Sequence, residues 1–536
     1  MSSSDRKDFL YYFLPVALFN LIIYFPSFFH IPRSDQLVYL ADVAYQQDWF
    51  TLTLKNYAFN RLELPFDMKD DLLFRPVVYI FLGLEKWLFG NNFMYWQITG
   101  FLLHLTVIWL LLKLLLQVRE SFFAVMLVTF FSVLNAGVEM VIWTNVNSYL
   151  IFIICILKSF YELQKFIING RLCLRSLVKI VIALTIATLT YELGILYCFL
   201  FAIYFYLIFV PKDTKTHDHS NIPKIVHSKF FIAAIICIPI ILYLTFDFLD
   251  LVYRGFKLSL EGQQILQFKN IANLIKRIPL ILFWWIYVGL FPSQFVILSR
   301  QRTVIYPLYI LKSTKGIFPL SGPNLIPVLL GIAAICVYFA ILRRGISFNY
   351  IKYKWRILSL LFCMIVSYVC IISLGRISIR GIARILADNS YYNYFFWTFF
   401  VLFIYYSIPF DHLPKVHSLT FLRKLTKALL IMLIFVNTAQ TSLVIRERTL
   451  SNKAFRILNE NIQNLIHQHG SQEDFSFGID PILVNKNQFE WIKNKDIPEK
   501  KYNFFELLYP QYYREIMPKY LFFLDQNGNW RWQKME

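Results

Sequence analysis

Hydrophobic residues along this chain come in runs of about twenty, the length a helix needs to cross a bilayer. Short polar stretches rich in lysine and arginine separate them. These runs predict spanning helices near residues 9–29, 96–116, 122–137, 147–163, 177–191, 193–210, 230–249, 325–342, 357–375, 393–410 and 428–445. The pattern is that of an all-α polytopic membrane protein with about eleven transmembrane helices, the marginal runs allowing about ten to thirteen. Juxtamembrane helices are expected in the first outer loop, 30–95. After residue 445 the character changes. Residues 446–536 carry 13 Lys/Arg against 12 Asp/Glu and no spanning run, and aromatic patches such as Phe504-Phe505-Glu506-Leu507-Leu508-Tyr509 suggest a small mixed domain. Two domains are therefore expected, 1–445 in the membrane and 446–536 on the extracytoplasmic side.

Composition agrees with the pattern. Of 536 residues, 57% are hydrophobic and 16% charged, against about a quarter charged in soluble domains. The net charge of +20 would suit a nucleic-acid partner if it formed a patch. It is instead divided among inter-helix segments: Lys158–Lys179, Lys212–Lys229, Arg343–Arg356 and Lys415–Lys427. That division fixes orientation by the positive-inside rule and excludes a nucleic-acid reading. Arg6 and Lys7 place the N-terminus in the cytoplasm. The run 279–298 is long enough to span, but a full crossing there would put two basic clusters outside. It is read as re-entrant, or as lying in the interface where Trp284, Trp285 and Tyr287 are comfortable. The seven cysteines form no CxxC pair and no disulfide framework. The first apolar run is followed by no small-residue cleavage site and reads as a retained helix.

Candidate chemistry concentrates where helices leave the membrane. Asp35 follows the first span directly. A carboxylate at that place is costly unless it has a task, and it could accept a proton from an attacking hydroxyl or amine. The alternative is an N-cap for a helix over Gln36–Gln47. Asp42 would share one face with Asp35 if that segment is helical. Arg75, before Pro76, offers a planar fork for a phosphate or an acidic neighbour such as Asp67, Asp70 or Asp71. His104 stands alone in the apolar run Phe101-Leu102-Leu103-His104-Leu105, as a packing residue or a site residue. Glu192, in Thr190-Tyr191-Glu192-Leu193, joins two apolar runs at the outer face with no basic neighbour in sequence, whereas Glu139 reads as solvated. Arg376, Arg380 and Arg384 recur every four residues and would line one helix stripe, suited to a carrier phosphate or to anionic headgroups. Arg300, Arg302, Lys312 and Lys315 form a second basic set with the same two readings.

Taken in order, these motifs resemble the C-type polytopic glycosyltransferases, such as the protein O-mannosyltransferases and the lipid A aminoarabinose transferases. The resemblance rests on one span, an exit aspartate, an outer loop ending in Phe74-Arg75-Pro76, a Leu-Leu-His helix and a later Tyr-Glu-Leu. It implies a membrane enzyme that moves a sugar from a polyprenyl-phosphate carrier to a glycan, lipid or protein acceptor on the outer face, in an inverting reaction. Asp35 would be the general base. Asp42, Arg75, His104, Glu192, Arg376, Arg380 and Arg384 would bind substrate or carrier. Gln36 stands where several relatives carry a second acid, and Tyr191 where they often carry Lys, which leaves the metal requirement and the phosphate ligands open. The carboxylates of the first loop could hold a divalent ion, though their spacing does not demand one. A bacterial inner membrane is the expected location. The competing functions are a transporter or flippase for a lipid-linked glycan, a glycan polymerase or ligase, and a non-catalytic partner in envelope assembly. A transporter is disfavoured by the lack of an internal repeat and of midplane charges.

Overall fold

The structure is a computed structural model that describes residues 3–30, 75–118, 122–169, 174–208, 229–253, 281–282, 285–286, 295–296, 304–305, 357–372, 390–407, 417–451, 453–472, 474–479, 490–493, 501–503, 509, 511–514, 517–524 and 530–535. It is mainly helical. In chain order the helices are α1 (Ser3–Tyr24), α2 (Pro76–Phe89), α3 (Phe93–Val118), α4 (Phe122–Ser132), α5 (Ala136–Ile142), α6 (Thr144–Asn169), α7 (Leu174–Thr190), α8 (Leu193–Ile208), α9 (Lys229–Ile236) and α10 (Ile238–Tyr253). They continue with α11 (Ile357–Ile372), α12 (Ser390–Ser407), α13 (His417–Ser451) and α14 (Lys453–His469). The chain divides into two compact units: Met1–Tyr24, Leu102–Met140 and Tyr149–Val444 form one, and Phe25–Phe101, Val141–Ser148 and Ile445–Glu536 the other.

Among the described residues, four helical stretches are long and apolar enough to cross a membrane: Phe9–Phe29, Phe93–Gln117, Val146–Phe166 and Lys424–Arg446. The pair α4 and α5 makes a fifth if counted as one, and Leu193–Leu207, Phe230–Thr245 and Ile357–Ile372 are shorter apolar helices. The expected total of about eleven rests also on these shorter elements, on 177–191 and 393–410, where α7 and α12 lie, and on 325–342, which lies outside the described residues. The pattern of burial is that of a membrane protein. In α13 the polar Asn437, Gln440 and Thr441 face inward, while Leu425, Leu429, Met432 and Phe435 are at least half exposed. A water-soluble helix has the opposite arrangement. In α1 likewise, Asn20 is buried while Leu10, Leu14, Leu18 and Ile22 point outward.

The first unit is built on aromatic packing around α12. Phe395, Phe396, Trp397 and Phe399 are buried, with Phe395 meeting Tyr368, Phe152 and Tyr191 at centroid distances of 5.5, 5.7 and 5.9 Å. The Trp397 indole donates to the Trp285 carbonyl (3.1 Å). Trp285 is itself buried and stacks on Tyr368 at 5.7 Å.

One expected span is not a single helix. The run 122–137 breaks after Ser132, and α5 departs from α4 at 62°. The freed carbonyl of Val133 accepts the Thr441 hydroxyl from α13 (2.8 Å), so the break is held from another helix. The same bend carries Glu139 inward. It is 4% exposed and not solvated as expected, because α5 turns into the protein.

In the second unit, Pro76 opens α2, where its fixed φ suits a first helical turn. Gly90 closes it at φ 55°, its N–H bonded to Lys86 O. The C-terminal region is mixed, as expected. Strands β1 (Phe477–Ile479), β2 (Tyr520–Leu524) and β3 (Trp530–Lys534) form a sheet in the order β1-β2-β3, with β1 parallel and β3 antiparallel to β2. Leu458, Ile462 and Leu465 make one buried stripe on α14, and Tyr509 donates to Asn459 Oδ1 (2.8 Å). Residues from Ile445 onward also bind the start of this unit. Thr449 donates to Pro26 O (3.1 Å), the Arg456 guanidinium lies over Phe29 (5.3 Å), and Gln463 donates to Asn91 O (3.0 Å).

Candidate functional site

Of the residues singled out above, Asp35, Asp42, Arg376, Arg380 and Arg384 lie outside the described residues, as do Arg300, Arg302, Lys312 and Lys315. Arg75, His104 and Glu192 are described, each on a different element. Arg75 is buried at the N-cap position of α2, and its carbonyl accepts the Val78 N–H (3.1 Å). It belongs to the second unit, and His104 and Glu192 to the first. Glu192 occupies the turn between α7 and α8, where its carbonyl takes the Ile195 N–H (3.0 Å). Its neighbour Tyr191 is buried against Tyr149 at 5.2 Å and Phe152 at 5.6 Å.

His104 is the centre of a polar cluster inside the first unit. It is fully buried on α3. Its Nδ1 lies 2.8 Å from the Tyr394 hydroxyl and its Nε2 3.4 Å from the Ser132 carbonyl. A carbonyl can only accept, so Nε2 carries the proton. In a neutral ring Nδ1 is then bare and receives the Tyr394 O–H. The Tyr24 hydroxyl also donates to Ser132 O (3.5 Å). Asn20 donates to Ser132 Oγ (2.9 Å), and that hydroxyl donates to Thr129 O (2.8 Å). Three helices thus converge on the end of α4, where the chain bends. Gly137, the second residue of α5, makes room for them: a Cβ there would stand 2.6 Å from the Tyr24 oxygen and 3.4 Å from His104 Cε1.

This arrangement holds a broken helix within an apolar unit. Irregular backbone at membrane depth persists where side chains re-satisfy its polar groups, and Ser132 O and Val133 O are both met in this way. The sequence reading singled out His104 but missed Tyr394, Tyr24, Asn20, Ser132 and Gly137. The available signal was a set of polar side chains within apolar runs, such as Asn20 in Phe19-Asn20-Leu21.

A second missed residue is Glu85 in α2. It is 2% exposed, and neither carboxylate oxygen meets a partner among the described residues. Burial pushes its carboxyl well above the usual carboxylate range. Among the described residues no group of three or more His, Cys, Asp or Glu could hold a metal ion, and the described cysteines are all free thiols.

No protein-family model and no curated protein matches the chain. Among solved structures, the archaeal oligosaccharyltransferase AglB from Archaeoglobus fulgidus, in complex with an inhibitory peptide and a dolichol-phosphate, matches at 12% identity and a TM-score of 0.36, over 82% of this chain and 56% of that one. The apo form of the Archaeoglobus fulgidus oligosaccharyltransferase matches at 11% identity and a TM-score of 0.40, over 90% of this chain and 63% of that one. The chain spans less than two thirds of the length of either.

Proposed function

We propose that the protein is a C-type membrane glycosyltransferase that takes a sugar from a polyprenyl-phosphate carrier and transfers it to an extracytoplasmic glycan, lipid or protein. In this reading some eleven spans form the 1–445 membrane domain of a bacterial inner-membrane protein, and 446–536 faces outward. The observation that carries the reading is how the polar residues of the resemblance fall on the helical frame. The first span ends at Phe29, just before Asp35; Arg75 is buried where α2 begins; His104 is buried within a span; Glu192 sits in the turn joining two apolar helices.

Asp35 accepts the proton of the acceptor's hydroxyl or amine as that group attacks the anomeric carbon. The carrier phosphate departs from the opposite face, so the anomeric centre inverts. A phosphate needs little protonation to leave. The basic residues Arg376, Arg380 and Arg384, with Arg75, stabilise the charge that develops on it. Asp42 and Glu192 orient the acceptor. His104, engaged at both ring nitrogens, acts as a positioning residue that fixes the bent α4–α5 pair. A divalent ion, if the enzyme uses one, would be held by carboxylates of the first loop.

Sugar transfer in proteoliposomes tests this reading, with wild type compared with Asp35→Asn at matched expression and folding. Radiolabelled polyprenyl-phosphate sugars serve as donors and a crude envelope fraction as acceptor. Loss of a general base should lower the rate by about 10²–10⁴-fold. Equal rates in the two proteins would refute the role of Asp35. A wild type that transfers from no donor but moves a lipid-linked glycan across the bilayer would replace the transferase with a flippase.

A further inference from the structure

Three lysines from two spans converge on one tyrosine ring. Lys165 Nζ lies 4.6 Å, Lys113 Nζ 4.9 Å and Lys158 Nζ 5.3 Å from the Tyr161 centroid. Lys113 also lies 4.5 Å from the Trp109 centroid. Since all three ammonium groups are within 5.3 Å of one point, no two can be further apart than about a Debye length. Like charges so close repel, and the protein gathers them from two helices, α3 and α6. Gln164, which donates to Leu114 O (3.4 Å), ties those helices together at this level. Glu162, 2% exposed, lies beside them and meets Lys158 (3.5 Å) and the Ser176 hydroxyl (2.8 Å). Lys165 pairs with no carboxylate among the described residues.

We propose that Lys113, Lys158 and Lys165, gathered on the Tyr161 and Trp109 rings, bind the phosphate of an anionic membrane lipid between α3 and α6. Depth favours a lipid over a soluble anion. Lys113 lies near the end of the span Phe93–Gln117 and Lys165 near the end of Val146–Phe166, at the level where headgroups lie, and Lys158 reaches the same ring from about two turns further in. Lysine stems run along apolar surface while their charged ends reach the headgroups, and basic pockets between spans bind acidic headgroups. The rings orient the cations through their π faces, so the site is built from two helices and is more than a solvated run of charge. Helix C-termini alone would favour cations here, but would not bring Lys113 of one helix onto a ring of the next. The inference is independent of the transferase reading, whose residues lie at the opposite ends of the spans in the expected topology.

The full chain is purified in a neutral detergent, stripped of lipid and titrated with phosphatidylglycerol or phosphatidylcholine in mixed micelles. Bound lipid is read by native mass spectrometry, and inorganic phosphate at matched ionic strength serves as a third arm. Wild type should prefer phosphatidylglycerol at least tenfold. The Lys113→Gln/Lys165→Gln variant should lose that preference, while Lys113→Arg/Lys165→Arg and Tyr161→Phe, which keep charge and ring, should retain it. Tyr161→Leu should weaken it. Equal binding of the two lipids by wild type would overturn the proposal, as would a preference that survives the Gln pair. Stabilisation by inorganic phosphate with none by phosphatidylglycerol would assign the cluster to a soluble anion instead and overturn the lipid site.

Discussion

The hydrogen bond between His104 and Tyr394 makes a quantitative prediction about what holds the bent α4–α5 pair. Both side chains are fully buried, and the contact is 2.8 Å long. Tyr394→Phe removes the donor and leaves the imidazole Nδ1 bare in an apolar surrounding, which costs about 1–3 kcal/mol. His104→Leu leaves the Tyr394 hydroxyl unpartnered and withdraws one of the two donors to Ser132 O, at a cost of about 2–3 kcal/mol. If the two residues act through each other, the double variant loses less than the sum. Polar contacts between membrane helices measured by such cycles average about 0.6 and reach about 1.7 kcal/mol. The short distance and full burial place this pair in the upper half of that range. Unfolding by SDS titration in mixed micelles, followed by tryptophan fluorescence, gives the four free energies needed. Additivity within about 0.3 kcal/mol would refute the coupling and leave His104 as a packing residue.

Three further outcomes follow from the same geometry. Gly137→Ala drives a Cβ to 2.6 Å from the Tyr24 hydroxyl and should destabilise the first unit by about 1–3 kcal/mol, read in the same titration. For Glu85 the folded-state carboxyl is raised by burial, so its protonated form is the one the fold accommodates. Stability should be greatest below the unfolded value of about 4.3 and fall as pH rises through the range up to the folded value. Glu85→Gln should therefore raise thermal stability at neutral pH and change little near pH 4; an equal effect at both would refute the assignment. Truncation after Val444 removes Thr449, Arg456 and Gln463, which contact Pro26, Phe29 and Asn91. Amide exchange in Pro76–Phe101 should then speed up, and unchanged protection would mean that the C-terminal region is not part of that unit.

The structure separates what chain pattern can reveal from what packing decides. Apolar run length is a local property, and the runs 9–29, 96–116, 147–163 and 428–445 coincide within a few residues with Phe9–Phe29, Phe93–Gln117, Val146–Phe166 and Lys424–Arg446. Near the change in composition at residue 446, the chain from Ile445 groups with Phe25–Phe101 and Val141–Ser148 in one compact unit, a grouping that composition does not reveal. The break in 122–137 was not legible. Leu134-Asn135-Ala136-Gly137 is compatible with a continuing helix, and the groups that stabilise the bend come from Thr441, Tyr24 and His104, far away in sequence. The parallel pairing of Phe477–Ile479 with Tyr520–Leu524 is non-local in the same way.

The same distinction explains why polar residues in apolar runs were hard to weigh one by one. His104 considered alone is ambiguous between packing and chemistry, and so is Asn20. Their meaning comes from sharing a target, the end of α4 at Ser132. A membrane interior makes such sharing obligatory, since a backbone carbonyl freed there has no water to turn to. A break in a spanning helix therefore requires polar side chains on its neighbours. Each isolated polar residue in an apolar run is accordingly a prompt to look for the break it serves. In this chain Thr441 and His104 both lead to 132–133. That places the irregular backbone of the first unit next to a conformationally determined bend, and it makes α5 with Glu139 the element whose position the His104 cluster controls.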